Sequence, residues 1–301
     1  MSNNRMMWIQ AITPVHVGCG FGVGAVDLPV IREKATNWPV LPGSGIKGVL
    51  ADRFGASDPE QREEMTQAAF GKPDKTGENE APSNAGALVI SDARMVALPV
   101  RSLYGTWAWI TCPLALQRLL RDLEETGLAG KLGETLAKPT PGQILVADEA
   151  RTKLRVNPNT PAYLADLDVA VAADANVKAW AESLASWLFG TSGWAAEFVA
   201  RFGVVHDNLF SYLLDTGTEI ATRIQVDPTT GSVKKGQLWT EEALPAETVM
   251  ASLVWADKVR APGNHTPQEI LNKYCSAPLN LQIGGKATVG RGRVRAVFGG
   301  A

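Results

Sequence analysis

One acidic side chain stands out as a candidate for chemistry because of its setting. Asp27 follows Val26 and precedes Leu28 and Pro29, so its carboxylate lies in an otherwise apolar run. A charge in such a run is unfavourable unless a ligand or a hydrogen bond uses it. From the residues alone, a turn in which the aspartate bonds its own backbone is favoured over a carboxylate that acts on a ligand.

The segment before Asp27 is rich in glycine. Glycine occurs at positions 18, 20, 22 and 24, which excludes a regular helix and is typical of sharp turns or of close approach to a ligand. A dinucleotide-binding fingerprint must open a helix, and Pro29 prevents one, so we reject that site. His16 begins this segment, and a lone histidine beside a strand end is more often a structural hydrogen-bonding group than a general acid.

A second candidate cluster follows in the turn and helix start at residues 42–48. Ser44 is a good N-cap for a helix over residues 45–54. Helix amides together with Lys47 can hold a phosphate of any polymer. The alternative is that Lys47 is an ordinary solvated helix residue. The glycine and lysine spacing does not match the phosphate loop of ATPases, so we exclude that activity.

Near the C-terminus, glycines alternate with cations. Gly284 and Gly285 precede Lys286, and Arg291 and Arg293 follow within the run Gly-Arg-Gly-Arg. A β-turn with solvated cations is one interpretation of this pattern. A loop that contacts a phosphate backbone is the other.

Composition limits the class of protein. A formal charge of −2 weighs mildly against a free-standing nucleic-acid binder, but it allows a basic strip on one face. The N-terminus has no apolar run and no stretch of 18 apolar residues occurs, so neither a signal peptide nor a membrane span is expected. Three widely spaced cysteines argue against disulfides and against a cysteine zinc site, and we expect a cytoplasmic location.

The elements that must position these residues are strands interleaved with helices. Periodicity and turn signals predict strands over residues 6–14, 87–96, 106–111, 202–205 and 248–258, a strand pair over 143–156, and a strand–turn–strand ending over 279–298. They predict helices over 45–54, near 59–69, and over 113–127, 175–189, 207–216 and 266–275. Two β-patterned runs, 220–226 and 233–239, flank the turn Asp-Pro-Thr-Thr-Gly and predict a hairpin. The best fold class is α+β with an antiparallel sheet.

Six pieces of the chain together resemble one known family. They are TPVHVG (13–18), GAVDLPVIRE (24–33), WPVLPGSGIKG (38–48), GALVISDARMVALPVRSLYG (86–105), TRIQVD (222–227) and LQIGGKATVGRGRVR (281–295). They extend over nearly the whole chain, and the N-terminal and SDAR…PVRS pieces are specific in combination. The sequence thus resembles the RAMP backbone subunits of Cmr (type III-B CRISPR–Cas) effector complexes, and among them the repeated subunit that cleaves target RNA.

This resemblance implies an architecture. It implies a single RAMP domain over residues 1–301, with a modified ferredoxin-like (RRM-like) core and an antiparallel sheet. Residues 55–86 would be a polar insertion, and residues 218–240 would form the projecting β-hairpin of this family, which we call the thumb.

The resemblance also assigns site residues. Asp27 matches the loop aspartate required for cutting RNA, and His16 and Glu241 match positions associated with the same site. The family's tyrosine two residues after that glutamate is Ala243 here, and a slip of one residue would give Glu242 the role of Glu241. Asp27 would hold a divalent metal, Mg²⁺ or Mn²⁺, or orient the attacking hydroxyl. Implied RNA-binding residues are Ser44, Lys47, Gly285, Lys286, Arg291 and Arg293. Arg53 is a further RNA-binding candidate that could equally be plain surface.

The function implied is that of an RNA-guided endoribonuclease subunit. Its partners would be guide crRNA, target RNA, further copies of itself and other Cmr subunits. A membrane is not expected among them. A structural RAMP subunit that binds guide RNA without cutting is one alternative, and Asp27 favours the cleaving subunit over it. The equivalent subunit of a type III-A (Csm) complex is another alternative, and the SDAR…PVRS segment favours the Cmr type.

Overall fold

A computed structural model describes residues 4–20, 22, 26–55, 63–72, 83–132, 136, 138–261 and 263–299. The first part of the helix predicted near 59–69 and most of the polar insertion predicted at 55–86 lie outside the described residues. Helix α2, Glu64–Phe70, accounts for the remainder of that predicted helix.

Seven helices occur in the described part of the chain. Their bounds are α1 Gly43–Arg53, α2 Glu64–Phe70, α3 Pro113–Glu125, α4 Ala175–Phe189, α5 Gly193–Arg201, α6 Asp207–Thr216 and α7 Pro267–Tyr274. The predictions of α3, α4, α6 and α7 are confirmed, because each has a clear apolar stripe or a helix start signal. Helix α5 was missed, since the sequence Gly-Trp-Ala-Ala-Glu is short and follows α4 after only three residues.

Within the described ranges, the strands form one large sheet and two small ones. Their bounds are β1 Asn4–Ala11, β2 Val40–Leu41, β3 Gly71–Lys72, β4 Asn84–Ala85, β5 Leu88–Ile90, β6 Ala93–Arg101, β7 Trp107–Thr111, β8 Gln143–Val146, β9 Ala162–Leu164, β10 Leu167–Ala173, β11 Phe202–Val205, β12 Glu219–Val226, β13 Val233–Ala243, β14 Val249–Ala256, β15 Leu279–Gln282 and β16 Arg293–Gly299. The large sheet runs β15-β16-β1-β14-β6-β7-β11-β8-β10-β9. The α+β class is confirmed. The sheet is mixed rather than wholly antiparallel, because β7 pairs with β11 and β8 with β10 in parallel.

Strand β1 lies inside the sheet and is buried on both faces. Its side chains alternate between two hydrophobic clusters: Met7 and Ile9 pack into one, and Met6 and Trp8 into the other. Helices α1, α2, α6 and α7 cover the first face, and α3, α4 and α5 contribute to the second. The strand therefore reads as a continuous apolar run, and helices flank both faces of the sheet.

The tryptophans of α4 pack against the core of the protein. Trp180 is buried in the second cluster, and Trp187 stacks on Trp8 with ring centroids 5.0 Å apart. Stacked aromatic pairs of this kind add stability beyond the area that they bury. Neither ring is a surface platform for bases.

The predicted strand over 87–96 is interrupted in the structure. Strands β5 and β6 both pair with β14, and Ser91 and Asp92 form the break between them. Asp92 accepts a hydrogen bond from the Gly43 amide at 2.8 Å, which satisfies one of the unpaired amides at the start of α1. The prediction that Ser44 caps this helix is wrong: Pro42 is the N-cap residue, and no side chain at that position caps α1.

Removal of this capping carboxylate should weaken the fold. We expect Asp92→Ala to lower the free energy of unfolding by about 1 kcal/mol, since a buried helix start then keeps an unsatisfied amide. Chemical denaturation of the purified chain measures the effect. Asp166→Ala serves as the control, because that carboxylate is exposed and pairs only with the exposed Arg101. Equal stability of the two variants would contradict the capping role.

The strand pair predicted over 143–156 is only partly right. Strand β8 covers Gln143–Val146, but the chain then turns, and the neighbours of β8 are β10 and β11. Strands β9 and β10 at that edge of the sheet were not predicted.

The thumb is a two-stranded hairpin, as predicted, and its second strand β13 extends to Ala243 at the base. The Asp227 carboxylate accepts hydrogen bonds in the turn, among them one from the Thr229 amide at 2.8 Å. Cross-strand pairing puts Ile224 opposite Leu238 and Val226 opposite Val233, all exposed. One face of the thumb is therefore an uncovered apolar stripe.

No helix among the described residues has the length and apolar character needed to cross a membrane.

Candidate functional site at the base of the thumb

Three segments from distant parts of the sequence meet at the base of the thumb. Residues 15–20 and 26–30, which we call the Asp27 segment, contact β13. The Leu28 amide donates to the Thr240 carbonyl at 3.0 Å, and the Glu242 amide donates to the Leu28 carbonyl at 3.0 Å. Residues 284–293, the glycine loop, join from the other side, where the Gly285 amide donates to the His16 carbonyl at 2.9 Å. The sheet end thus brings together most of the predicted site.

Asp27 lies exposed beside β13, and a reciprocal set of hydrogen bonds with Thr240 holds it there. Its Oδ2 accepts from the Thr240 amide at 2.7 Å and from the Thr240 hydroxyl at 2.9 Å. The Asp27 amide in turn donates to the Thr240 Oγ1 at 3.0 Å. The carboxylate is therefore oriented by a strand 213 residues away and not by a local turn alone.

These bonds also affect the charge of Asp27. The backbone and hydroxyl bonds from Thr240 lower the pKa of the Asp27 carboxyl below its ordinary value, because they stabilise the ionised form. An exposed carboxylate with a lowered pKa is ionised throughout the neutral range. It is thus suited to attract a cation or to accept a hydrogen bond, and it is a weak proton acceptor.

His16 is buried at the junction of the three segments. Its Nδ1 lies 2.6 Å from the Glu242 carbonyl oxygen, so the ring donates from Nδ1 to that carbonyl. Its own carbonyl accepts from Gly285, and a side chain at Gly284 would approach that carbonyl to 2.2 Å. The ring therefore joins the Asp27 segment to β13, and it packs beneath the glycine loop. A catalytic role for His16 stays a prediction.

Glu241 is only 2% exposed and is fully occupied by partners. Its carboxylate pairs with the Lys286 amine at 2.9 Å, accepts from the Trp239 indole at 2.8 Å, and lies 3.4 Å from Arg223 Nε. Burial raises the pKa of Glu241, but the hydrogen bonds from Lys286 and Trp239 and the adjacent charges outweigh burial and lower it to about 2. The group is an ionised member of a salt-bridge cluster.

The next glutamate has a different set of contacts. Glu242 accepts a hydrogen bond from the Val30 amide at 2.9 Å and pairs with Arg32 at 2.5 Å, which fixes the extended segment that follows Asp27. Side chains alternate along β13, so Thr240 and Glu242 face one side and Glu241 the other. Asp27 shares the side of Thr240, and Glu241 shares that of Leu28, its bridge partner. Asp27 and Glu241 thus lie on opposite faces, and their joint catalytic role stays a prediction.

The glycine loop needs its glycines for close packing. Gly284 and Gly292 have φ angles of +83°, and at Gly292 a Cβ would lie 2.3 Å from the Ile283 carbonyl oxygen. The cations of this loop differ in environment. Lys286 is engaged with Glu241, and the buried Arg291 approaches Glu219 at 3.5 Å. Arg293 is exposed, and its side chain has no bond to a described residue, so it is the loop cation best placed to meet a ligand.

The remaining RNA-binding candidates lie on α1. Ser44 and Arg53 are exposed and Lys47 is half-buried. The helix packs against β5 and against β15, the strand that leads into the glycine loop. These three residues are therefore on an element that packs against the strand leading into the glycine loop.

Thr240 was not identified from the sequence, although a signal was present. In the run LWTEEA, Thr240 alternates with Trp239 and Glu241 in a β pattern, and a hydroxyl at the base of a hairpin can bond a neighbouring strand. The sequence does not specify which segment of the chain lies next to Thr240.

Comparison with known proteins places the chain in a family. The model of the RAMP superfamily matches residues 8–295. The CRISPR system Cmr endoribonuclease Cmr4 of Pyrococcus furiosus is 32% identical over 292 residues, which are 96% of this chain and 94% of that protein. A crystal structure of oligomeric Cmr4 from Pyrococcus furiosus superposes with a TM-score of 0.72 at 27% identity and covers 99% of this chain and 98% of the other.

A second solved structure agrees in fold. A chain in a cryo-EM structure of the type III-B Cmr-beta complex bound to cognate target RNA has a TM-score of 0.73 at 21% identity, with 98% of this chain and 96% of the other covered. At that identity the likeness concerns the fold alone. Since the family model and the relative in Pyrococcus furiosus each cover almost the whole sequence, the chain belongs to the RAMP superfamily and, within it, to the Cmr4 family.

Proposed function

We propose that this chain is the repeated backbone subunit of an RNA-guided Cmr effector complex and that it cleaves target RNA. Copies would assemble head to tail along a guide crRNA, next to the other Cmr subunits, and each copy would cut the paired target once. A head-to-tail contact generates an open filament, which suits a repeated subunit on a linear RNA. The relative from Pyrococcus furiosus is named an endoribonuclease, and its crystal structure is described as oligomeric.

The exposed, ionised Asp27 at the base of the thumb carries this proposal. It is an acidic group of the site that is neither buried nor neutralised by a cation, whereas Glu241 and Glu242 are paired with Lys286 and Arg32. A carboxylate that faces solvent beside a projecting hairpin can reach the backbone of an RNA strand that the hairpin separates. The exposed apolar stripe of the thumb lies on the same side as Thr240 and Asp27.

The cleavage that these residues support is transesterification. The 2′-oxygen of the target attacks the adjacent phosphorus, the bond from phosphorus to the 5′-oxygen breaks, and the products carry a 2′,3′-cyclic phosphate and a 5′-hydroxyl. The hydroxyl proton leaves to solvent, and the 5′-oxygen takes a proton from solvent. Asp27 would accept a hydrogen bond from the 2′-hydroxyl and orient it for attack. Its lowered pKa favours this orienting role over that of a proton acceptor.

We also propose that a divalent metal, Mg²⁺ or Mn²⁺, assists the reaction at Asp27. Within the described residues, no three histidine, cysteine or acidic side chains are clustered as a metal site. One exposed carboxylate nevertheless fits Mg²⁺, which is commonly held by one or two carboxylates together with substrate phosphates and water. The metal would supply charge stabilisation on the phosphoryl oxygens. Asp27 would be the protein ligand, and Thr240 would keep its Oδ2 in place.

Guide binding would use backbone contacts, because base pairing supplies the sequence specificity. The structure separates the two arginines of the glycine loop into an exposed one and a buried one. We expect Arg293→Ala to lower the slope of log affinity against log salt by about 0.7, the contribution of one single-strand phosphate contact. Arg291→Ala should instead lower thermal stability through loss of its contact with Glu219, and should leave the slope unchanged.

Salt titrations of crRNA binding by the purified subunit measure these slopes. Arg151→Ala is the control, because Arg151 is an exposed cation in the turn after β8, outside both the thumb and the glycine loop. An unchanged slope in Arg293→Ala would assign this side chain to plain surface. A lowered slope in Arg291→Ala would contradict its structural role.

The central experiment is the fragment ladder of a complementary RNA incubated with the purified complex. Cuts at a regular interval, absent with a non-complementary RNA, are the expected result. Target binding without any cuts would instead favour a structural RAMP subunit that holds guide RNA and does not cleave.

A further inference from the structure

We infer that Thr240 is a positioning residue for cleavage: its hydroxyl holds the Asp27 carboxylate in its working orientation and couples it to the thumb. This inference rests on the proposed function of Asp27. Thr240 would touch neither the RNA nor a metal, and would act only through Asp27.

The geometry of the pair carries the inference. The Thr240 hydroxyl is shared in both directions, because it donates to Asp27 Oδ2 at 2.9 Å and accepts from the Asp27 amide at 3.0 Å. Together with the bond from the Thr240 amide at 2.7 Å, it fixes both the side chain and the backbone of Asp27. A carboxylate on an exposed segment would otherwise sample several rotamers.

The segment that contains Asp27 does not by itself fix the orientation of the carboxylate, so strand β13 must supply that restraint. Asp27 follows a glycine-rich run with little intrinsic preference for one backbone conformation. Strand β13 is by contrast anchored on both sides of the sheet end: Glu242 bonds Val30 and Arg32, and Glu241 pairs with Lys286. The hydrogen bonds to Thr240 therefore restrain Asp27 relative to the anchored strand β13. A shift of this strand would move the carboxylate with it.

The thumb contains a matched control for this residue. Thr222 lies directly opposite Thr240 on β12, on the same face of the hairpin. It is exposed, and its hydroxyl bonds to no described residue. Valine has the shape of threonine and a high strand preference, so Thr222→Val and Thr240→Val should perturb the hairpin equally little.

The test uses the whole complex and measures single-turnover cleavage of a complementary RNA alongside its binding. We expect Thr240→Val to reduce the cleavage rate about 10- to 100-fold, the effect of a misplaced catalytic group. Target affinity and assembly should stay within about twofold, because only the hydroxyl is lost. Thr240→Ser should restore most of the rate, and Thr222→Val should cleave at the rate of the unaltered complex.

A second readout separates positioning from mere structure. In a background of Asp27→Asn, Thr240→Val should have no further effect, because it acts through that carboxylate.

The outcomes distinguish the inference from the function on which it rests. If Asp27→Asn is inactive while Thr240→Val cleaves at the unaltered rate, the positioning role is wrong and the proposed function stands. If Thr240→Ser is as slow as Thr240→Val, or if Thr240→Val loses assembly, the positioning role is also wrong. Unaltered cleavage by Asp27→Asn would overturn the proposed function itself.

Discussion

Asp27→Asn should abolish cutting of target RNA while the complex still assembles and binds its target. Asparagine keeps a side-chain oxygen that can accept both hydrogen bonds from Thr240, so the Asp27 segment stays joined to β13. Only the negative charge is lost. We expect the single-turnover rate to fall about 100-fold or more, the range in which loss of one oriented polar group lowers the rate of an enzyme.

Comparison with a second substitution separates charge from structure. Asp27→Ala removes the charge and the bonds to Thr240 together, so it should also be inactive and should show a more mobile Asp27 segment in hydrogen exchange. Fragment ladders and target affinity of both variants are measured side by side. Loss of assembly in Asp27→Asn would assign the carboxylate a structural role, and a full ladder would exclude it from catalysis.

Deletion of the thumb tip should remove the regular spacing of the cuts. Residues 224–235 are exposed, apart from the half-buried Asp227, and they pack against no part of the core. A short glycine linker in their place should therefore leave the fold intact, with the free energy of unfolding changed by no more than about 0.5 kcal/mol. The contacts of Thr240 and Glu241 at the thumb base lie outside the deletion.

The physical reason for the expected loss is the uncovered apolar stripe. Ile224, Val226 and Val233 are about half exposed, and a hairpin with few partners of its own is marginal in water. We propose that the tip gains its partners from the guide–target duplex, where it displaces a nucleotide, and from the neighbouring subunit. The shortened chain should then give irregular cuts and weaker stacking of copies, measured by ladder mapping and analytical ultracentrifugation.

A second variant replaces the apolar side chains of the thumb and keeps its length. The triple substitution of Ile224, Val226 and Val233 by threonine keeps the hairpin and its strand preference but removes three of the four apolar side chains of the stripe. This variant should weaken the stacking of subunit copies and make the spacing of the cleavage fragments less regular, in both cases less than the deletion does. An evenly spaced ladder from the deletion variant would show that the thumb does not set the register of cutting.

Local sequence patterns predicted the elements in which pattern and packing agree. Helix α4 has an apolar stripe and a capping aspartate, Asp174, whose carboxylate accepts two amides of the first turn. The thumb has alternating residues and a turn motif. The strand over 87–96 was predicted as continuous, because nothing local shows that Asp92 leaves the sheet to cap α1, 49 residues earlier in the chain.

The sequence by itself determined the family, because the family motifs are contiguous, and one of those motifs singled out Asp27 as the catalytic candidate. It could not determine the state of the other candidates. Lys286, Arg291 and Arg293 are equal as cations in a sequence, yet in the structure Lys286 pairs with Glu241, Arg291 pairs with Glu219, and Arg293 is exposed.

Only the tertiary structure decided which residue orients Asp27 and which cations pair with the ionised Glu241. The bonds of Asp27 to Thr240 and of Glu241 to Lys286 join residues 213 and 45 positions apart, and no local pattern specifies such partners. The charge and orientation of a carboxylate depend on its desolvation and on the groups around it. Those are set when the sheet brings the Asp27 segment, β13 and the glycine loop together.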